Sequence, residues 1–215
     1  MVKMEAQPKR DFFERFFGAG CKRWIVSFSL IVIIIGVAWI IYVKYPRTID
    51  LELAGVKYQL GSEGAKLGVE PATVVINGKV HTSLKGERVF KGLIQIVGEQ
   101  IPVPQDQRTV EIHFVNNGWG LISYPYFIYD KRGVTIGSDI YQSHSIFANK
   151  DFSQVTLLLK TSDQQPDSKD GDPQTVWNSE NGMMLSAPAS TREEALALSN
   201  KLMRGFLKPD GKPLQ

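Results

Sequence analysis

Apolar and polar positions along this chain change period twice. Residues 24–43 carry no charge and are dominated by Ile and Val; wound as a helix, about 20 such residues cross the roughly 30 Å hydrocarbon core of a bilayer. From residue 44 onward, short apolar runs are separated by turn signals, the pattern of strands. Near the C-terminus Leu196, Leu198, Leu202, Met203 and Phe206 recur at mixed three- and four-residue spacing, the apolar stripe of a helix.

The strand region is punctuated by the pairs Asn77-Gly78, Asn117-Gly118 and Asn181-Gly182, each able to adopt the positive φ angles of a two-residue hairpin turn. They predict hairpins joining residues 73–76 to 79–84, 109–115 to 119–124 and 175–177 to 183–186. Asp130-Lys-Arg-Gly133 supplies a further turn between 126–129 and 134–136. With strands at 48–60, 88–97 and 154–160, roughly nine or ten short strands result, enough for a sandwich, a barrel or a strongly curled sheet. In 109–115, apolar Val110, Ile112 and Phe114 alternate with Thr109, Glu111 and His113, so that strand is half buried and His113 faces solvent. Residues 127–129 are apolar throughout, which predicts cover on both faces. Pro125 beside them marks a strand end or an edge.

Pro188 stops the last strand, and Ser190-Thr-Arg-Glu193 has capping-box spacing, so a helix begins at about Thr191. Gly205 or the Lys208-Pro209 step ends it. A helix this short needs a sheet to pack on; binding a partner is its alternative use. Residues 61–71 and 161–173 read as solvated loops. The expected fold is one N-terminal transmembrane helix followed by a mainly antiparallel β (α+β) domain with the C-terminal helix packed on its sheet. The expected boundaries are 1–23 for a basic tail, 24–43 for the span and 44–215 for the β domain.

Charge orients the span. Lys3, Lys9, Arg10, Arg15, Lys22 and Arg23 precede it and only Lys44 and Arg47 follow closely, which places the N-terminus in the cytoplasm and the β domain outside. Trp24 at one end, with Trp39, Tyr42 and Tyr45 at the other, matches the aromatic belts of the two headgroup levels. Bulky residues fill the place where a signal peptidase needs small ones, so the run is expected to remain as an uncleaved anchor. Phe12, Phe13, Phe16 and Phe17 lie beside basic residues, suiting either a helix in the anionic interface or a basic tail that only fixes topology. Residues 1–43 hold six basic and three acidic side chains, leaving nineteen of each in 44–215. A near-neutral exported domain argues against nucleic acid as a partner. The single thiol, Cys21, lies on the inner side of the span, so the exported part has none.

Chemical motifs are sparse. Asp163, Asp167, Asp170 and Asp172 could offer oxygens to Ca²⁺, but with Gly171 at the loop's sixth position Pro166 and Trp177 fall where an EF-hand needs its first and twelfth ligands. His81, His113 and His144 belong to no H-x-x-x-H or H-E-x-x-H pattern and read as surface or incidental residues. No cofactor or metal is implied. The layout resembles a sortase, yet no cysteine follows the span to act as nucleophile, which also removes cysteine-dependent L,D-transpeptidases. Type I signal peptidases have a similar anchor, and Gly86-Glu-Arg-Val89 is loosely similar to a segment of that family, but their Ser-Met-x-Pro motif is missing. A Gly-x-Ser-x-Gly elbow is absent too.

Two functional readings follow. The first is a non-catalytic interaction or envelope-accessory module, anchored in the lipid bilayer and meeting an envelope protein or a glycan. Its surface would be the aromatic cluster Trp119, Tyr124, Tyr126, Tyr129 and Tyr141, or a hairpin edge that recruits a partner strand. The second is an exported hydrolase with a dispersed site, for which Ser62, His113 and Glu111 are the candidates.

Overall fold

The computed structural model describes residues 19–83, 85–115, 118–160, 177–207 and 213–215, without the side chains at 19–23, 25, 43 and 44, and it divides into two units between Tyr45 and Pro46. The first unit carries helix α1 (Ala19–Lys44), 26 residues long. Its described side chains from 26 to 42 are all exposed, the Ile33-Ile34-Ile35 run included. Among the described residues no helix is long and apolar enough to cross a membrane. The unbroken described side chains of α1 stop short of both ends of the 24–43 run, so that run is covered only in part.

Among the described residues, the second unit is a single antiparallel sheet of eight strands: β1 (Arg47–Gln59), β2 (Glu70–Thr82), β3 (Arg88–Ile96), β4 (Val110–Phe114), β5 (Trp119–Tyr129), β6 (Thr135–Ala148), β7 (Val155–Leu158) and β8 (Met183–Ala187). Their order is β4-β3-β2-β1-β8-β7-β6-β5. The sheet curls until its two edges, β4 and β5, face each other. A Cβ added to Gly120 of β5 would lie 2.4 Å from Ile112 Cγ2 and 3.3 Å from the Phe114 ring of β4. That seam is filled by side chains rather than by a ladder, which makes the domain a near-barrel.

Two apolar cores result. The larger fills the curl with Val74, Ile76, Phe90, Ile112, Ile146 and Leu157 among others. At one end Phe152 plugs it, its ring 5.3 Å from Phe90 and 5.4 Å from Phe114. The smaller lies between the sheet and helix α3 (Arg192–Leu202), where Tyr58, Phe147 and Met184 meet Ala195 and Met203.

Several sequence expectations hold locally but not in their connections. The chain does reverse at Gly118, which has φ +80°, and Val115 N–H donates to Trp119 C=O at 3.0 Å, while Asn117 lies outside the described residues. The two strands then part, because β4 pairs with β3 and β5 with β6. Asn77-Gly78 is not a turn. It lies inside β2, paired with β1 on one side and β3 on the other, and Gly78 is needed because the Phe90 Cζ would stand 2.7 Å from a Cβ there. The expected strands at 73–76 and 79–84 therefore merge. So do 119–124 and 126–129, which run through Pro125 as one strand; β5 is a sheet edge, where a missing N–H removes no ladder bond. With these mergers the described residues hold eight strands.

The turn at 130–133 is as expected, with Gly133 at φ +79° and Asp130 Oδ1 accepting from the Arg132 and Val134 amides. The loop expected at 61–71 instead starts with a short helix, α2 (Gly61–Leu67). The C-terminal helix caps one residue later than the sequence suggests. Thr191 Oγ1 accepts from Glu194 N–H at 3.2 Å, while the Glu194 carboxylate reaches back to Ser190 N–H at 2.8 Å. That doubly bonded carboxyl is held below the ordinary carboxylate range, chiefly by the Ser190 amide. α3 ends at Leu202, before Gly205. The Phe-rich tail, the aspartate-rich loop at 161–173 and most of the strand expected at 175–177 lie outside the described residues.

Candidate functional site

Strand direction defines the two ends of the near-barrel. β1 starts at Arg47 beside Val80 of β2, which lies level with Phe90 and Ile112. This is the end at which the chain enters the domain. At the opposite, distal end the connection between β3 and β4 folds over the opening and buries Ile101 and Val103. Arg108 fastens it by donating to Val103 C=O at 2.8 Å and Ile101 C=O at 3.1 Å. The cleft left between this connection and β5–β6 is lined by Ile96, Glu99, Ile122, Tyr124, Ser143 and His144, and its free space is about 10 Å³. That holds on the order of one water molecule.

Polar groups nevertheless converge there. His144 Nε2 lies 2.8 Å from Glu99 Oε1, and its Nδ1 accepts Lys160 N–H at 3.2 Å. Tyr124 donates to Ile94 C=O at 2.9 Å. Burial first, then the charge of Glu99, pushes the Tyr124 hydroxyl up to about 12 and raises that of Tyr141 as well. Both phenols thus remain protonated donors at neutral pH. A catalytic histidine needs one ring nitrogen facing substrate. His144 has neither, since both are engaged inside the protein. It is also not the surface or incidental residue expected from sequence, being only 7% exposed. Glu99 and His144 lie 45 positions apart, with no local spacing to announce the pair.

The hydrolase candidates are dispersed. His113 and Glu111 do meet, at 3.2 Å, but on an open sheet face where Lys91 holds the other Glu111 oxygen at 2.8 Å. His113 is at the entry end, level with the start of β1, whereas Ser62 follows its end, exposed on α2. The 13 residues of β1 at about 3.3 Å each separate those levels by on the order of 40 Å. Among the described residues no three His, Cys, Asp or Glu side chains gather to hold a metal ion.

The aromatic cluster divides as well. Tyr124 is 1% exposed and belongs to the interior. Tyr141 stacks on it at 6.2 Å and Tyr126 packs against the same core, while Trp119 packs against the smaller core. Tyr129 alone of the five is openly exposed, so they form no common platform.

A different surface emerges from the same hairpin. Residues 125–129 of β5 and 135–140 of β6 continue past the barrel rim as a two-stranded arm, turning at Asp130. Cover on both faces was expected for 127–129; Phe127 is 53% and Tyr129 50% exposed instead. Ile136 and Ile140, at 66% and 61%, extend that apolar surface onto β6. Among the described residues, β7 pairs with β6 only over 145–148 and leaves the β6 edge from 135 to 144 without a strand. On the other edge, Gln107 bonds Phe127 twice, its Nε2 donating to the carbonyl at 3.2 Å and its Oε1 accepting the amide at 2.7 Å. One carboxamide there takes the place of a neighbouring strand's peptide group.

Sequence reading missed a second polar group altogether. The hydroxyls of Tyr58, Thr156, Ser186 and Ser199 form a buried network under α3, with Tyr58 to Ser199 at 2.6 Å and Ser186 to Ser199 at 2.7 Å. Ser199 also donates to Ala195 C=O at 2.9 Å. Every hydroxyl is hydrogen-bonded and buried, so the network docks the helix on the sheet. Comparison with models of known families, with curated proteins and with solved structures finds no match to this chain.

Proposed function

We propose that this chain is a single-pass membrane protein whose exported β domain is a non-catalytic interaction module, binding an extended segment of an envelope protein along the free edge of β6. The observation that carries this reading is the arm: a hairpin with exposed Phe127, Ile136 and Ile140 beside an edge on which, among the described residues, no strand lies. Natural proteins blunt or cover such edges, because unpaired N–H and C=O groups template further pairing. Here Gln107 satisfies the β5 edge at Phe127, and among the described residues nothing does the same for the β6 edge. Strand addition would satisfy that edge, and apolar side chains at alternate positions of the incoming segment would bury the isoleucines. Anchoring rests on the uncharged run at 24–43, its aromatic ends and the basic bias before it.

Two measurements test the two halves of this reading. A reporter fused after Gln215 should be active only outside the cytoplasm; activity inside reverses the topology. Photo-crosslinkers at Ile136 and Ile140 in native membranes should capture one specific envelope protein, with the same probe at Lys79 capturing none. If the I136D/I140D variant folds and still yields that adduct from a probe at Ser138, the arm is not the docking surface.

A further inference from the structure

His144 stands just past the last β6 residue that β7 pairs with. Below it β7 pairs with residues 145–148; at the junction Lys160 N–H leaves the ladder and donates to His144 Nδ1 at 3.2 Å. An acceptor at Nδ1 puts the ring proton of a neutral imidazole on Nε2, which then donates to Glu99 Oε1 at 2.8 Å. One ring thus ties the end of β7 to the connection between β3 and β4.

We propose that His144 is a proton-operated clasp: protonation turns Nδ1 from acceptor into donor, expels the Lys160 amide and frees the end of β7 at the base of the arm. Imidazolium carries two N–H donors and no acceptor, so it cannot hold an amide N–H in line. The bond to Glu99 survives and becomes charge-assisted. Acid therefore shifts the clasp from two tethers to one, holding the distal connection while releasing β7. Among the described residues, the charged and titratable groups around the ring are few. Glu99 and Arg108 come from the β3–β4 connection, Tyr124 from β5, Tyr141 from β6 and the exposed Lys160 from the end of β7. Glu99, the carboxylate among them, contacts the ring. The clasp operates whether or not the arm has a partner.

Amide exchange and imidazole resonances of the full chain in detergent micelles, followed from pH 8 to pH 5, test this. The protection of Lys160, corrected for intrinsic exchange, should fall about tenfold as His144 titrates, the loss of one hydrogen bond. Protection of the residue 145–148 amides should fall less. Glu99→Gln should move the transition to lower pH, and His144→Gln should make Lys160 protection independent of pH. Lys160 protection that stays constant through the His144 titration overturns the proposal. So does a His144 that remains neutral until the domain unfolds, and because the unmodified chain decides both, failure of a variant to fold leaves the test intact.

Discussion

The two halves of the β5–β6 hairpin have similar sequences and opposite fates. In the half near the turn at Gly118, Ile122, Tyr124, Ile146 and Phe147 are buried; in the other half Phe127, Tyr129, Ile136 and Ile140 are exposed. Apolar content and β-propensity do not separate them. What separates them is what lies alongside: β4, β7 and α3 cover the first half, while the second passes beyond the ends of all three. Burial is therefore decided by the lengths of neighbouring strands. Among the described residues, the four of β7 beside the fourteen of β6 leave an exposed apolar hairpin that a uniformly built barrel would not have.

The contrast gives a graded set of expectations. Phe90→Ala, which removes a ring from the core, should cost about 3–5 kcal/mol of stability in denaturant unfolding, whereas Phe127→Ala in the arm should stay within about 0.5 kcal/mol. Equal effects would mean that the arm is packed after all. Gly120→Ala comes next: its new methyl meets Ile112 Cγ2, so a loss of about 1–3 kcal/mol is expected, and a smaller one when it is made in an Ile112→Ala background. Additive losses in that double variant would show that the seam is not held by this contact. Thr191→Ala should cost about 1 kcal/mol through the helix cap, read from the same unfolding midpoint.

The smallest effect should be confined to the arm. Hydrogen bonds from the Val134 amide, and then from Arg132, hold the Asp130 carboxyl below its ordinary value. A depressed folded-state value means its contribution is present above the ordinary carboxylate range and is lost as pH falls through the depressed value. Amide exchange at Arg132 and Val134 should accelerate over that acid window beyond its intrinsic change, with no matching shift in the global midpoint. Asp130→Asn should flatten the response. A shift of the whole unfolding transition instead would make arm and body one cooperative unit.

Where chemistry is local, the chain is legible. The half-buried alternation of 109–115, the turns at Gly118 and Gly133, and a C-terminal helix docked on the sheet can all be read from neighbouring residues, because dihedral preference and side-chain period act within a few positions. Asn77-Gly78 misleads for the opposite reason: ladders on both sides of β2 keep it extended, overriding a local turn preference. Nor does any short-range pattern reveal Glu99 against His144, Gln107 against Phe127, or four hydroxyls under one helix. Those contacts exist only because curling the sheet brings its edges and its distal connection together. Sequence alone determines an uncharged apolar run, a neutral, thiol-free β domain and most of its strands, since each rests on composition or periodicity. Tertiary structure alone decides which apolar strand residues are core and which form a bare arm, because burial depends on where neighbouring strands end.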